Sequence, residues 1–388
     1  MTSMPSDRAI WQLGLMQLLA WGLAFYLPGV YGPAMAAGLG WDARWVYGGF
    51  SLAILTMGLV SPFSGAVIER LGGCRTLQLG LVLDALGCLG LAAAQSAPLF
   101  YLAWVTLGVG MRLSLYDAAF ATLARLAGER SRAVMVRITL LGGLASAVFW
   151  PLGHWLLEVL GWRLGLVVYA GIALAGLLLL VPLPNVRGRL PSAELPPAVA
   201  GGSPRLAGVL FATGMALIGF LSAGLSAHLP ALLAERGVPV GVAALWGIGQ
   251  VCARLAELAS GQRLSARQLN LLLGLGLPLS FALALASDGH LLLTAGFVFL
   301  YGALNGLVAV LRASLPLELF DRALYARLTG KLLAPSFLLS AAAPWCYALA
   351  RESWGDRGLL GLCLLVSLGV TLAAVGLLGR RRPAPAPA

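Results

Sequence analysis

Hydrophobic residues run along this chain in long stretches, and charged residues gather in short intervals between them. A helix needs roughly 20 apolar residues to cross the hydrocarbon of a bilayer. Runs of that length, bounded by Arg, Pro and Gly clusters, predict twelve spans: 10–34, 45–67, 76–95, 98–122, 133–157, 163–183, 206–233, 240–258, 269–287, 290–312, 328–349 and 357–379. The longest interval, VRGRLPSAELPPAVAGGSPR at 186–205, is rich in Pro, Gly and Ser and reads as a flexible cytoplasmic linker. It separates an N-terminal six-helix bundle, 1–185, from a C-terminal one, 206–388, which ends in a short disordered PAPAPA tail. The pattern therefore predicts an all-α membrane protein, with twelve transmembrane helices in two pseudo-symmetric bundles. A short echo supports the pairing: Arg137-Ile138-Thr139 and Arg327-Leu328-Thr329 open the fifth and eleventh spans, and Pro151 and Pro344 come late in them.

Composition sets the solvent. Of 388 residues, 60% are hydrophobic and 11% charged. A soluble domain is roughly a quarter charged, so this surface must face lipid. The net charge of +11 is no sign of nucleic-acid binding, because the basic residues form no run along a helix and do not interleave with aromatics. They follow topology instead. With the N-terminus in the cytoplasm, the inner segments carry sixteen arginines (Arg8, Arg70, Arg75, Arg125, Arg130, Arg132, Arg187, Arg189, Arg205, Arg263, Arg267, Arg322, Arg327 and Arg380 to Arg382). The outer segments carry five: Arg44, Arg163, Arg236, Arg351 and Arg357. This bias puts both termini in the cytoplasm. Arginine-rich, Ala/Leu/Gly-rich composition suggests a bacterial cytoplasmic membrane, and the first apolar run is too long for a signal peptide.

The five cysteines are scattered, and all but Cys74 read as small apolar packers inside helices. His154, His228 and His290 lie far apart and make no ligand motif. No metal site, cofactor motif, catalytic dyad or phosphate-binding G-x-x-x-x-G-K-[ST] loop is visible, so neither an enzyme nor a primary pump is expected.

After the second span comes GAVIERLGGCR, residues 65–75. It resembles the signature loop of the major facilitator superfamily, G-x-x-x-D-R-x-G-R-R/K. Gly65, Glu69 in the acid's place, Arg70 and Gly72 fit the pattern, Gly73 and Cys74 stand where basic residues usually do, and Arg75 comes one position late. The resemblance implies a secondary transporter working by alternating access, with this loop as a cytoplasmic gating element. Glycines there would permit a tight turn and close helix contact. The eighth span carries Gln250-Val251-Cys252-Ala253-Arg254. Monocarboxylate porters, which it is similar to, place an acid four residues before an arginine that meets the substrate carboxylate. Here Gln250 replaces the acid. The fourth and tenth spans are similar to bacterial facilitators in or near that branch, some of which export arsenicals.

Chemistry inside the membrane comes from a few charges. Arg112 and Asp117 are the only charges between about Leu99 and Ala124. A charge near the midplane costs about 2.5–3.5 kcal/mol on insertion scales and should face a water-filled cavity. On a continuous helix, five residues place Arg112 and Asp117 about 140° apart, which excludes the i,i+3 or i,i+4 pair. Each then needs its own partner. Tyr116 falls one turn from Arg112 and would offer a phenol beside the cation. Asp117 is expected as a proton site or as a partner for Arg70 or Arg75. Asp84 is expected either to titrate as the coupling group or to neutralise Arg112. Arg254 would line the cavity with Gln250, snorkel, or pair with Glu257. Arg312 and Lys331 are expected to snorkel or pair at the gate. Asn305 reads as a ligand contact or an interhelical hydrogen bond, and Trp21 and Tyr26 as an aromatic pocket or packing stripe. Trp11, Trp41 and Trp45 read as interfacial belt residues.

The expected function is secondary active transport, coupled to protons, of a small anionic organic or oxyanion-like solute. The alternative is proton-driven efflux of toxic compounds such as drugs, metalloids or arsenicals. The expected partners are that solute, protons and the bilayer, with the protein a monomer.

Overall fold

The computed structural model describes residues 7–127, 131–187, 204–260, 264–319 and 322–378. Among them no strand occurs. The helices are α1 (Asp7–Ala20), α2 (Leu27–Leu39), α3 (Ala43–Leu71), α4 (Gly73–Ala93), α5 (Ala97–Ser114), α6 (Tyr116–Ala127), α7 (Ser131–Gly143), α8 (Ala145–Leu180), α9 (Pro204–Glu235), α10 (Ala244–Ala259), α11 (Ala266–Ser287), α12 (Leu291–Leu319) and α13 (Arg322–Leu378). A π-helical turn, Trp21–Phe25, joins α1 to α2, and a 3-10 turn, Val240–Ala243, precedes α10.

Among the described residues ten helical runs are long and apolar enough to cross a membrane, against the twelve spans expected. Two of the ten explain the difference. Arg137–Leu180 and Ser336–Leu378 have 44 and 43 residues, about twice what one crossing needs. Each contains one glycine with positive φ, Gly161 at +74° and Gly355 at +66°, where two helices are joined across a kink. Only glycine takes this conformation without strain. The described elements group along the chain as the pattern predicts, except that the first, fourth and fifth spans are each broken.

The chain divides into two compact units, Met1–Ser192 with Ser226–Gly247, and Ala193–Leu225 with Ile248–Ala388. Each unit has its own helix turn of the form Gly-x-Arg. In the first, Arg163 follows Gly161 and its guanidinium donates to the carbonyls of Ala92 (2.6 Å) and Ala94 (2.9 Å), the end of α4. In the second, Arg357 follows Gly355 and pairs with Asp288 at the end of α11 (2.9 Å). This repeat has two structurally described copies. The echo at Arg327-Leu328-Thr329 has side chains outside the described set, as has most of the 186–205 linker and all of the PAPAPA tail.

Large apolar side chains such as Phe63, Leu178, Leu292 and Leu372 stand exposed on the helices. In water such a surface would drive association; against lipid it is the solvated face. The core of the first unit is aromatic, with Trp104, Trp150, Phe50, Phe100 and Tyr169 buried. His228, also buried, stacks on Tyr47 with ring centroids 3.9 Å apart. Of the expected belt, Trp11 and Trp45 are exposed, whereas Trp41 packs edge-on against Phe100. The cysteine expectation is corrected at two positions: Cys74 is buried, its thiol donating to the Leu180 carbonyl (3.3 Å), and Cys252 is exposed.

Candidate functional site: two broken helices around Arg112

The sequence SLYD, residues 114–117, contains neither glycine nor proline, yet the helix breaks there. Leu115 is extended, with φ −78° and ψ −174°. The Ala118 amide, which a continuous helix would give to Ser114, goes to the Leu115 carbonyl instead (3.1 Å). The break overturns the expectation that Arg112 and Asp117 cannot pair. The change in direction after Ser114 brings Asp117 Oδ2 onto Arg112 Nη1, and the two form an ion pair. Arg112 also donates from Nε and Nη2 to Ser64 Oγ on α3, both at 3.3 Å. Ser64, which sequence reasoning missed, itself donates to the Ser61 carbonyl (2.8 Å). The Arg112 side chain is 12% exposed and Asp117 58% exposed. The cation is thus held from the protein side, and its counter-ion stands at the open side.

Tyr116 is corrected by the same break. Its hydroxyl is not offered beside Arg112; it donates to the Thr139 carbonyl of α7 at 3.4 Å. What Tyr116 presents is its ring, 5.0 Å from Trp21 and stacked on Phe120 at 5.3 Å and 11°. Trp21 belongs to the π turn. The wider turn, closed by the Tyr26 amide donating to the Trp21 carbonyl (3.1 Å), moves the following residues around the axis. Trp21, Phe25 and Tyr26 then meet one another at 5.0 to 6.5 Å. Tyr26 continues to Trp150 at 5.2 Å. Irregular turns in two spans therefore come together through the contact of Trp21 with Tyr116, the residue next to Asp117 in the chain.

Asp84 does not neutralise Arg112. It is fully buried in α4, and Ser114 Oγ donates to its Oδ2 at 2.8 Å. Gln17 donates from Nε2 to the Ser114 carbonyl at 2.7 Å. Neither Ser114 nor this role of Gln17 was signalled by the sequence, since both depend on the break.

In the second unit, Arg254 is 8% exposed, so it does not snorkel. Its Nε donates to the Gly306 carbonyl of α12 (3.1 Å) and its Nη2 to Gln250 Oε1 (3.5 Å). Gly306 abuts the Gln250 backbone, and Gly249 abuts that of Gly302 and Ala303. The half-buried Asn305 lies in this close helix crossing. Arg312 is exposed, and the Lys331 side chain lies outside the described set.

The 65–75 loop is organised by a residue outside it. Asn185 donates from Nδ2 to the Leu71 carbonyl (2.8 Å) and accepts from the Arg75 amide (3.3 Å). A Cβ at Gly72 would overlap the Asn185 side chain, so the glycine is needed for that approach. Gly65, by contrast, has open space around it. Glu69 is half-buried, and Arg70 and Arg75 are exposed. Among the described residues no cluster of three His, Cys, Asp or Glu could hold a metal ion.

Broken helices around buried polar groups recur in secondary transporters. The chain belongs to the Major Facilitator Superfamily, whose family model matches residues 13–344. An uncharacterised transporter of Bacillus subtilis (strain 168), YycB, is 27% identical over 137 residues, 34% of this chain and 33% of that protein. Mouse monocarboxylate transporter 11 is 32% identical over 228 residues, 56% of this chain and 50% of that one. The chain thus spans half or less of the length of these curated relatives. Two solved structures share the fold. A POT family transporter in complex with 5-aminolevulinic acid gives a TM-score of 0.75 at 13% identity, over 95% of this chain and 96% of that one. Peptide transporter POT in complex with sulfate gives 0.73 at 13%, over 97% and 96%.

Proposed function

We propose that this transporter moves a small organic anion across a bacterial cytoplasmic membrane by alternating access, coupled to protons. The observation that carries the reading is Arg112: a cation held by Ser64 on the inside and by an exposed, displaceable carboxylate, Asp117, on the outside. An anionic substrate group can take the place of that carboxylate. Trp21, Tyr26 and Tyr116 give the apolar wall for the rest of the molecule; in the second unit, Arg254, Gln250 and Asn305 are candidate substrate contacts. The similarity to a monocarboxylate transporter supports a carboxylate as the anion. Asp84 and Asp117 are the candidate proton carriers. Residues 1–185 and 206–388 are the two bundles that alternate, joined by 186–205 and working as a monomer. Both termini lie in the cytoplasm, where Gly65, Glu69, Arg70, Gly72 and Arg75 act as the gating loop.

The test is thermal unfolding of the purified protein against carboxylates, oxyanions, metalloids and cationic drugs, with Arg112→Gln alongside. A ligand at a hundred times its Kd adds about 2.7 kcal/mol to apparent stability. The expected result is stabilisation of the wild type by a carboxylate, lost in Arg112→Gln relative to that variant's own baseline. Equal stabilisation of both proteins by neutral or cationic toxicants would overturn the anion reading in favour of efflux.

A further inference from the structure

The break at Leu115 has two consequences for Ser114. Its carbonyl loses the helical partner that Ala118 would supply, and Gln17 Nε2 fills the vacancy at 2.7 Å. Its hydroxyl reaches back to Asp84 Oδ2 at 2.8 Å. Gln17, Asp84 and Ser114 are all 0% exposed, and they come from α1, α4 and α5. The cluster is tightly seated: a Cβ at Gly110 would overlap Asp84 Oδ1, and one at Gly80 would overlap the Ser114 backbone. Two acceptor oxygens in it, Asp84 Oδ1 and Gln17 Oε1, have no hydrogen-bond donor.

Among the described residues no cationic side chain forms an ion pair with Asp84. The titratable group facing it on α4 is Cys88, through which it adjoins Tyr31 of α2 and Tyr169 of α8. From α1 and α5 come Gln17 and Ser114, which do not titrate. Arg112 of α5 is engaged by Asp117 of α6 and by Ser64. Glu69 and Arg70 stand at the far end of α3. A carboxylate with one neutral donor and no counter-ion is costly in such a place.

We propose that Ser114 and Gln17 are positioning residues that link a proton on Asp84 to the break between α5 and α6, and through it to the Arg112–Asp117 pair. In the present conformation Asp84 carries its proton on Oδ1, and Oδ2 accepts from Ser114. Release of that proton leaves a charge with a single hydrogen bond. Ser114 is the residue that must respond, and Gln17 is what holds Ser114 in place. Because Ser114 is the last residue of α5, any shift redirects α6, and Asp117 with it. The inference rests on the proposed proton coupling, but its test needs no substrate.

That test is infrared difference spectroscopy of the full-length protein under a pH titration in sodium-free buffer. The expected wild-type result is a protonated-carboxyl band at neutral pH that is lost in Asp84→Asn. The carboxylate band assigned by Asp117→Asn should move with the same midpoint. Ser114→Ala should shift the acid band to higher frequency, since the carboxyl loses a donor. Gln17→Leu should retain the acid band and abolish the linked movement. An Asp84 that is ionised at neutral pH, an Asp117 band that stays fixed while Asp84 titrates, or linkage that survives both variants would overturn the proposal. So would a response to sodium alone. An anion-binding failure in the thermal test would leave these bands unaffected, so the two readings fail separately.

Discussion

Arg112 and Asp117 form an ion pair across a break in their helix, at a spacing that a continuous helix forbids. The pair places a compensated charge within an apolar span. It also ties the direction of α6 to the state of one salt bridge. In the proposed reading, a substrate anion that takes Arg112 from Asp117 would release that tie and couple occupation of the site to movement of α6.

The pair itself can be measured by a double-mutant cycle of Arg112→Gln and Asp117→Asn, read as chemical or thermal unfolding in detergent. Asp117 is largely exposed, so water screens the attraction. A coupling energy of about 0.5–1 kcal/mol is expected. Purely additive single effects would show that the two residues do not stabilise each other.

Much of the architecture is legible because lipid is an unforgiving solvent. Every span must be apolar for about 20 residues, and the kinks at Gly161 and Gly355 fall at intervals where the hydropathy pattern already divides spans. The site is less legible, for a physical reason. The break at Leu115 has no local breaker to announce it. Angular spacing along residues 98–122 puts Tyr116 beside Arg112 and Asp117 away from it only on a continuous helix, and the helix is not continuous. The compensation for the break is tertiary: Gln17 supplies the missing donor from 97 residues away. The π turn at Trp21–Phe25 likewise has no sequence signature. Asn185 was hidden because it sits where a flexible linker was expected to begin.

Packing around Asp84 gives a second prediction. Gly110→Ala drives a methyl group into the Asp84 carboxyl and backbone, and overpacking of this kind costs about 1–3 kcal/mol. Gly65→Ala, in a helix with open space around it, should be neutral or stabilising by up to about 1 kcal/mol. Thermal unfolding of the two variants decides the matter. A destabilised Gly65→Ala beside an unaffected Gly110→Ala would reverse the assignment of which glycine is needed for close approach.

Asn185 should matter to the 65–75 loop more than its position suggests. Asn185→Ala removes the donor to Leu71 and the acceptor for Arg75. The expected loss is about 1 kcal/mol, because exposed backbone groups regain water. Local opening should rise roughly fivefold, read as faster amide hydrogen exchange across Gly73 to Leu77. Unchanged exchange there would mean that the loop is held by its own residues.

Arg254 offers the sharpest test of the second unit. Gln250 accepts from its guanidinium at 3.5 Å, and Arg254 is buried against the Gly306 carbonyl. Gln250→Glu would replace a neutral acceptor by a charged one on the same helix face, and charge-assisted hydrogen bonds are roughly twice as strong. The basal stability of this variant should therefore rise. If Arg254 also meets the substrate anion, the new carboxylate competes for it, and ligand affinity should fall about tenfold, roughly 1.4 kcal/mol. The two effects have opposite signs in one thermal-shift experiment: a higher starting temperature and a smaller shift with ligand. A higher starting temperature with an undiminished shift would make Arg254 a structural tie between α10 and α12, and would leave Arg112 as the sole anion contact of the proposed site.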